Sequence, residues 1–435
     1  NKASYSGFSN QLSAKPNTPP TKLDTLSAYG GARSVIVQWK DTSKRMYNVY
    51  RGVNANNLDK IASNIDTTIY VDNSAFANVK YFYGIKVVDS VGAASDISKL
   101  AFATASNIWI IDTAGKSTGN GSEKYPLKSI QYAIDNSISG DTILLNNGTY
   151  VEDLQIFSKT VVLKARNLGK AIINPLSPSS KPILHIQDQN QWGQSIYSKP
   201  QNKIIGIVFS GSTFTNWGNT PPAAININFN SNPIFESCTF TNNSSQYVFN
   251  IDQSAPLFNN SLIINNTTQN GIFNIQYVDT NQVKTKVPKF VNSIFVNNSS
   301  FNNNCCGAER GVVIFNSIIT ENGYNNNFNE KLFRVENSIV DNPKFVAQSS
   351  TNQVIDPQFN NSAAFDYTLS SNSPALGKGS AQLILKGANT SDTLNALAYD
   401  YNYNDRPNPA GTKNDLGAFC WLAARLKRFT LAAPD

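Results

Sequence analysis

Five cations come into register when the chain is aligned on its own repeats. Serine or cysteine anchors at Cys238, Ser261, Ser293, Ser317 and Ser338 lie 23, 32, 24 and 21 residues apart. Seven residues before the last three anchors stand Lys286, Arg310 and Lys331; four before them stand Lys289, Val313 and Arg334. If each interval is one circuit of stacked strands, about 4.8 Å per step, these residues form a cationic stripe. Such a stripe could bind an acidic polysaccharide. A Lys or Arg at its centre could also act as the base of a β-elimination, if like-charged neighbours lowered its pKa. The plain alternative is a solvated face, with Glu309 and Glu330 interleaved as surface ion pairs of little worth.

Other chemistries find less material. A glycosidase needs two carboxylates roughly 5–10 Å apart. Among Glu236, Asp252, Asp279, Glu309, Glu321, Glu330, Glu336 and Asp341, only Glu309 and Glu330 share a repeat position on adjacent circuits. Calcium takes about six to eight oxygens, and no stack of Asp and Glu beside Arg and Lys offers them. No cofactor is therefore expected, with Ca²⁺ reserved for the case of a lyase. The single His, His185, lies in the alternating run 182–186 and reads as a packed strand residue. No phosphate-binding glycine loop stands between a strand and a helix. Cys238, Cys305, Cys306 and Cys420 lack metal-ligand spacing, and the adjacent Cys305 and Cys306 read as free loop thiols. Charged residues are 15% of the 435, against about 25% in an average chain. The net charge of +7 is spread without blocks, which argues against a nucleic-acid partner. No run of about 18 apolar residues is present to span a membrane.

The elements that must position these residues are short strands. Segments 235–243, 258–266, 290–298, 314–322 and 335–342 match one another around the anchors. Apolar residues beside each anchor would fill a bore, and the Asn pair that follows would turn a corner. Stacked Asn could then hydrogen-bond from one circuit to the next. Asn242-Asn243-Ser244 and Asn265-Asn266-Thr267 are also glycosylation sequons, but corner residues are the preferred reading. Upstream, 107–112 reads as a strand and a Gly/Ser loop follows. Residues 125–134 read as a helix with Pro126 in its first turn and Leu127, Ile130 and Ile134 on one face. Strands at 142–145, 155–157 and 161–164 come next.

This entry resembles that of right-handed parallel β-helix proteins of the pectate-lyase-like superfamily. The resemblance rests on Pro126, Ser129, Ile130, Ala133, Ile134, Gly140, Asp141, Thr142, Ile143, Gly148, Thr149 and Tyr150. In such a protein the helix hides the open end of the solenoid. A second resemblance, to the ending of many bacterial β-helix proteins, lies in Asp356-Pro357-Gln358-Phe359 and Asp366-Tyr367 through Ser373-Pro374-Ala375-Leu376. It closes with Asp400, Arg406-Pro407 and Asp415-Leu416-Gly417-Ala418-Phe419. Asn404 stands where that ending has Gly, and Cys420 where it has an acid. The superfamily includes polysaccharide lyases, glycoside hydrolases and proteins without catalysis, so the resemblance implies a fold and leaves the chemistry open.

Residues 21–105 carry strand patterns at 35–39, 47–51, 68–72, 81–89 and 99–104. With Trp39 on an early strand and Tyr81 and Tyr83 on a late one, this segment resembles a fibronectin type III domain, a β-sandwich that serves as spacer or binding module. The expected organisation is a polar tether at 1–20, the fibronectin-III-like domain at 21–105, the β-helix at 106–421 and a basic tail at 422–435. That tail reads either as a short basic amphipathic helix or as an added expression tail.

The Asn/Ser/Lys-rich start without Met resembles a bacterial lipoprotein trimmed just past its lipidated Cys, so the membrane would be met only through an anchor preceding Asn1. Thr25, Ser90, Thr113 and Thr393 each follow Asp and precede an apolar residue, which resembles the O-glycosylation pattern of Bacteroidota; Thr142 fits too but is explained as a strand entry. The expectation is an all-β exported protein of the outer-membrane surface, or a secreted one, that binds a polysaccharide or an envelope protein complex without catalysis. The alternatives are a polysaccharide lyase acting on an acidic glycan and, behind it, a phage-type adhesion fibre. Enzyme activity is left open, and the glycan-binding candidates are Lys286, Lys289, Arg310, Lys331 and Arg334.

Overall fold

The computed structural model describes residues 18–43, 45–176, 181–188, 201–213, 221–229, 231–276, 287–305, 311–326, 328–386, 391–407 and 411–421. The chain divides into two compact units, Asn1–Asn107 with Asn120–Tyr125, and Ile108–Gly119 with Pro126–Asp435.

The first unit is antiparallel throughout. Leu26–Gly31, Ser34–Trp39 and Ile69–Asp72 form one sheet; Asn57–Ile65, Met46–Asn54, Lys80–Val88 and Ala101–Thr104 form the other, in that order. Strict alternation puts Val35, Val37, Trp39, Tyr47, Val49, Tyr83, Ile85 and Val87 into one core. Strands 26–31 and 57–65 lack that alternation, which is why the sequence hides them. Asp72 is buried and accepts from Arg51 Nη1 at 2.8 Å, Tyr83 Oη at 2.8 Å and Ser74 Oγ at 2.7 Å. Burial pushes its carboxyl up, but the bonds from Ser74, Arg51 and Tyr83 outweigh that and hold it below the ordinary range.

The second unit is built from three parallel sheets of nine, eight and six strands. The chain visits them in rotation and returns each time one strand further along. The first sheet runs from Ile108–Ile111 to Phe333–Glu336, the second from Gly148–Val151 to Ile339–Val340, and the third from Leu154–Phe157 to Asn303–Cys305. Registers follow the repeats: Phe235 pairs with Phe258, Phe258 with Phe290, Phe290 with Ile314, and Ile314 with Val335. These side chains fill the interior. Phe235 stacks on Phe258 at 4.7 Å between ring centroids, and Phe258 on Phe290 at 4.2 Å. Burying each such ring contributes about 1.5–3 kcal/mol.

Both corners of the repeat need a left-handed backbone. Ser237, Asn260, Asn292, Asn316 and Asn337, just before the anchors, have φ between 47 and 52°, and Asn242, Asn265 and Asn297 have φ of 53–55°. Asn tolerates this region better than other side-chain-bearing residues. The anchors stack as expected: the backbone N–H of Ser261, Ser293 and Ser317 donates to the hydroxyl of Ser293, Ser317 and Ser338, at 3.2, 3.1 and 3.0 Å. The second Asn of each corner pair forms the ladder. Asn243 Nδ2 donates to Asn266 Oδ1 at 3.0 Å, Asn266 to Asn298 at 2.9 Å, and Asn298 to Asn322 at 2.8 Å. Asp341 ends the series by accepting the Asn322 N–H at 2.9 Å.

The capping helix is shorter than its sequence suggests. It spans Ile130–Asn136, with Ser129 as N-cap accepting from Tyr132 N. Pro126 lies outside it, because Leu127 is drawn into a parallel bridge with Ile111. A second short helix, Lys344–Gln348, places the buried Phe345 against Phe333 at 5.9 Å.

The C-terminal stretch runs back over the outside of two sheets. Tyr367, Leu369, Tyr401, Ala418 and Phe419 cover Leu262, Ile264, Ile294, Val296 and Ile318 of the second sheet. The hairpin Gln382–Lys386 with Ser391–Asn395 brings Leu385 and Leu394 onto Val291, Val313 and Phe315 of the first. Buried Arg406 clamps this ending by donating to the carbonyls of Asp415 and Gly417 at 2.9 and 2.7 Å. Gly417 has φ of 82° and lies so close to Ile318 that an added Cβ would come within 2.9 Å of it. The two departures, Asn404 and Cys420, from the ending that the sequence resembles are absorbed at Asp400. Its carboxylate accepts from Asn404 Nδ2 at 3.1 Å and from the Cys420 thiol at 3.3 Å.

Candidate functional site

The cationic stripe does not stand open. Lys286 and Arg310 lie outside the described residues, as does Glu309. Lys289, Val313 and Arg334 do share one register position on successive strands. The C-terminal hairpin lies over that column: Val313 packs under Leu385, and Lys289 Nζ pairs with Asp392 at 3.0 Å. Lys289 keeps only 12% of its side chain exposed. Arg334 bonds to Glu336 at 3.3 Å and to the Ile384 carbonyl at 3.4 Å. Of the three described candidates, Lys331 lies at the surface on a 3₁₀ turn and Arg334 keeps 42% of its side chain exposed. The column's two described cations are therefore engaged with the chain's own ending. Thr25, Ser90, Thr113 and Thr393 are all at the surface.

A polar surface of another kind faces outward from the third sheet. Leu184-His185-Ile186-Gln187, Ile225-Asn226-Ile227-Asn228, Phe249-Asn250-Ile251-Asp252 and Phe273-Asn274-Ile275-Gln276 occupy matching positions on four adjacent strands. The apolar members point inward and are buried. The others make two outward columns, because successive side chains alternate between faces. One column is Gln155, His185, Asn226, Asn250, Asn274 and Asn304; the other is Phe157, Gln187, Asn228, Asp252 and Gln276. This fourfold pattern is legible in the sequence but lies outside the segments aligned on the anchors.

In the first column His185, Asn226, Asn250 and Asn274 are buried and only Gln155 and Asn304 reach the surface, whereas the second column is half-buried throughout. Asn274 Nδ2 donates to Asn250 Oδ1 at 2.6 Å, and Asn304 Nδ2 donates to Asn274 Oδ1 at 3.2 Å and to Tyr247 Oη at 2.9 Å. His185 is packed as expected, edge-on to Phe157 at 5.0 Å, with Nε2 3.3 Å from Asn228 Nδ2. Burial pushes its imidazole down to about 4, so it is neutral at physiological pH. Asp252 is raised by burial. Asn226 is fully buried, and neither its Nδ2 nor its Oδ1 has a partner among the described residues; Asn228 Oδ1 also lacks one there. The groups that reach the surface of this face are the amides of Gln155, Gln187, Asn228, Gln276 and Asn304, the Phe157 ring and the Asp252 carboxyl. That chemistry suits hydroxyl groups.

Two other polar clusters are occupied. Glu236, outward on the first sheet, accepts from Tyr399 and Tyr403 at 3.0 and 2.7 Å, which seats the C-terminal stretch. A cleft of about 540 Å³ beside the capping helix is lined by Thr113, Lys128, Tyr132, Val151 and Glu152, among others. Its carboxylate is spent on the helix start, accepting from Ser129 Oγ, Ile130 N and Gln131 N at 2.8, 2.8 and 3.0 Å.

No family model matches the chain. Over 83 residues, 19% of its length, the chain is 34% identical to an amylopullulanase of Thermoanaerobacter thermohydrosulfuricus, and it spans 6% of the length of that curated relative. Among solved structures it is similar to an Fn3-like protein from Clostridium thermocellum, at 26% identity and a TM-score of 0.19, over 20% of this chain and 92% of that one. It is also similar to a rhamnogalacturonan lyase, at 16% identity and a TM-score of 0.40, over 54% of this chain and 68% of the other.

Proposed function

We propose that the second unit is a right-handed parallel β-helix whose third-sheet face binds a glycan without cleaving it, and that the first unit is a fibronectin-III-like module of the same chain. The observation behind this reading is the pair of outward columns from Gln155 to Asn304 and from Phe157 to Gln276. At their surface stand the amides of Gln155, Gln187, Asn228, Gln276 and Asn304, on five of the six strands of the sheet. Amides donate and accept in one plane, which matches neighbouring sugar hydroxyls. The short match to an amylopullulanase agrees with a chain that works near carbohydrate. The cations Lys289 and Arg334 support binding of an acidic glycan less well, because the C-terminal hairpin engages them.

Export, with a lipid anchor ahead of Asn1 and sugars on Thr25, Ser90, Thr113 and Thr393, is part of the same proposal. An intact-mass measurement on protein from its native host tests it. Calorimetric titration of the full chain against neutral and acidic polysaccharides tests the binding. Saturable heat without new reducing ends or ultraviolet-absorbing unsaturated products supports the reading. Accumulation of unsaturated products would replace it with a lyase.

A further inference from the structure

The cleft of about 540 Å³ beside the capping helix falls within the roughly 300–1,000 Å³ usual for small-molecule sites. Its lining lies in the second unit and includes no residue of the third sheet. Leu127 and Tyr150 are its buried part, and the Tyr150 hydroxyl is already used, donating to the Asn146 and Ile111 carbonyls at 2.8 and 3.2 Å. Ser129 and Glu152 are spent on each other and on the first turn of the helix. The rest of the lining is open to solvent. Tyr132 is 49% exposed and Val151 52%, so a ligand can reach both. The hydroxyls of Thr113, Ser117 and Thr149, the Tyr132 phenol and the Lys128 ammonium are also at the surface, and none has a hydrogen-bond partner among the described residues.

We propose that this cleft is a binding site for a neutral sugar ring, distinct from the third-sheet face. A pyranose is apolar on the faces where its C–H groups point and polar around its edge. The cleft offers both halves of that chemistry. The Tyr132 ring and the Val151 side chain give apolar surface, and three free hydroxyls and a phenol, each able to donate and accept, line the same space. A purely apolar ligand would cover those hydroxyls and the ammonium without replacing their bonds to water, which is costly. The neutral class follows from the charge of the lining. One cation, Lys128, stands against one carboxylate, Glu152. An acidic sugar would be drawn to the first and repelled by the second, whereas a neutral one can accept from the ammonium without that opposition.

The test is calorimetric titration of the full chain, made in a host that adds no sugar to Thr113, with short ligands that a cleft can hold. Maltose, cellobiose, xylobiose and mannobiose are the neutral probes, digalacturonate the charged comparison and cyclohexanol the apolar one. At least one neutral disaccharide should bind saturably. Tyr132→Ala should weaken it by at least about tenfold, through loss of the exposed ring, while alanine preserves the helix. Lys128→Met should weaken it by about two- to fivefold, the worth of one exposed polar contact. Val151→Trp, which fills the cleft, should abolish binding. These are surface changes, so melting temperatures should stay within about 2 °C of the parent. Disaccharide binding that survives both Tyr132→Ala and Val151→Trp overturns the cleft as the site. Tighter binding of digalacturonate than of any neutral disaccharide overturns the neutral class, and tighter binding of cyclohexanol overturns the sugar. Failure of every disaccharide to bind overturns the cleft proposal alone, because the third-sheet reading stands or falls on the polysaccharide titration.

Discussion

At the corner between the second and third sheets, Asn243, Asn266, Asn298 and Asn322 hand a hydrogen bond from circuit to circuit, and every step is closed. On the outward face of the third sheet, Asn226, Asn250, Asn274 and Asn304 stand at the same strand spacing, and the series fails at Asn226. Residue type and repeat are shared, so neither explains the difference. The corner ladder has backbone help: the Nδ2 groups of Asn243, Asn266 and Asn298 also donate to the carbonyls of Phe209, Phe240 and Ile263. Among the described residues the face column bonds along the stack, with Tyr247 Oη as the one further partner, at Asn304. Stacked asparagine is therefore self-sufficient where a turn supplies carbonyls, and has capacity to spare where a flat sheet does not.

The largest effect should come from breaking the closed ladder. Asn298 accepts from both the N–H and Nδ2 of Asn266 and donates to Ile263 O and Asn322 Oδ1. Asn298→Ala strands several buried groups at once and should cost about 3–5 kcal/mol, read by urea unfolding. A cost below about 1 kcal/mol would mean that the ladder is ornamental and the comparison empty. Asn274→Ala on the third sheet removes two side-chain bonds, one of them to exposed Asn304, and should cost only about 1 kcal/mol. Equal costs at the two positions would erase the distinction.

Ser293→Ala sharpens the comparison with a third stack. The Ser293 hydroxyl accepts the N–H of Ser261 and donates to the Val291 carbonyl, both buried. Its loss should cost about 1–2 kcal/mol, between the two asparagine variants. Cys238 occupies the equivalent anchor, where its thiol donates to the Ile204 carbonyl at 3.3 Å. The column thus tolerates a weak donor at its end.

The anchored repeats were legible because anchor, apolar neighbours and corner Asn recur within nine residues, and local pattern is what sequence carries best. Strand registers, the serine stack and the ladder followed from that alignment. The start of the capping helix did not, because a bridge from Leu127 to Ile111 overrides the preference of Pro126 for a first turn. The fate of the cations was also beyond reach. Lys289 meets Asp392, and Arg334 meets Ile384, through a hairpin that arrives far later in the chain. The third-sheet face could have been seen, since Ile-Asn-Ile-Asn, Phe-Asn-Ile-Asp and Phe-Asn-Ile-Gln recur at fixed steps of 24 residues from Asn226 to Asn250 to Asn274. What sequence could not supply is that one of these amides lacks a partner.

The smallest effect concerns how the closed ladder ends. Asp341 takes the place of a further Asn, accepting the Asn322 N–H and a short bond from Tyr324 Oη. Burial raises its pKa, and the bonds from Tyr324 and Asn322 only partly offset that. A carboxyl that holds its proton more tightly folded than unfolded favours the folded state most below its unfolded pKa, and that advantage is lost as pH rises through the folded value. Asp341→Asn keeps an acceptor for Asn322 and leaves Tyr324 an amide donor instead of a charge. The variant should therefore be as stable as the parent in mildly acidic solution and slightly more stable at neutral pH, with a flatter pH profile across the carboxylate range. Urea midpoints taken from pH 4 to pH 8 read this out. A variant that loses stability most at neutral pH would show that the ladder needs a charged terminus. Its parallel dipoles, each amide donating toward the Asp341 end, would then be what that charge answers.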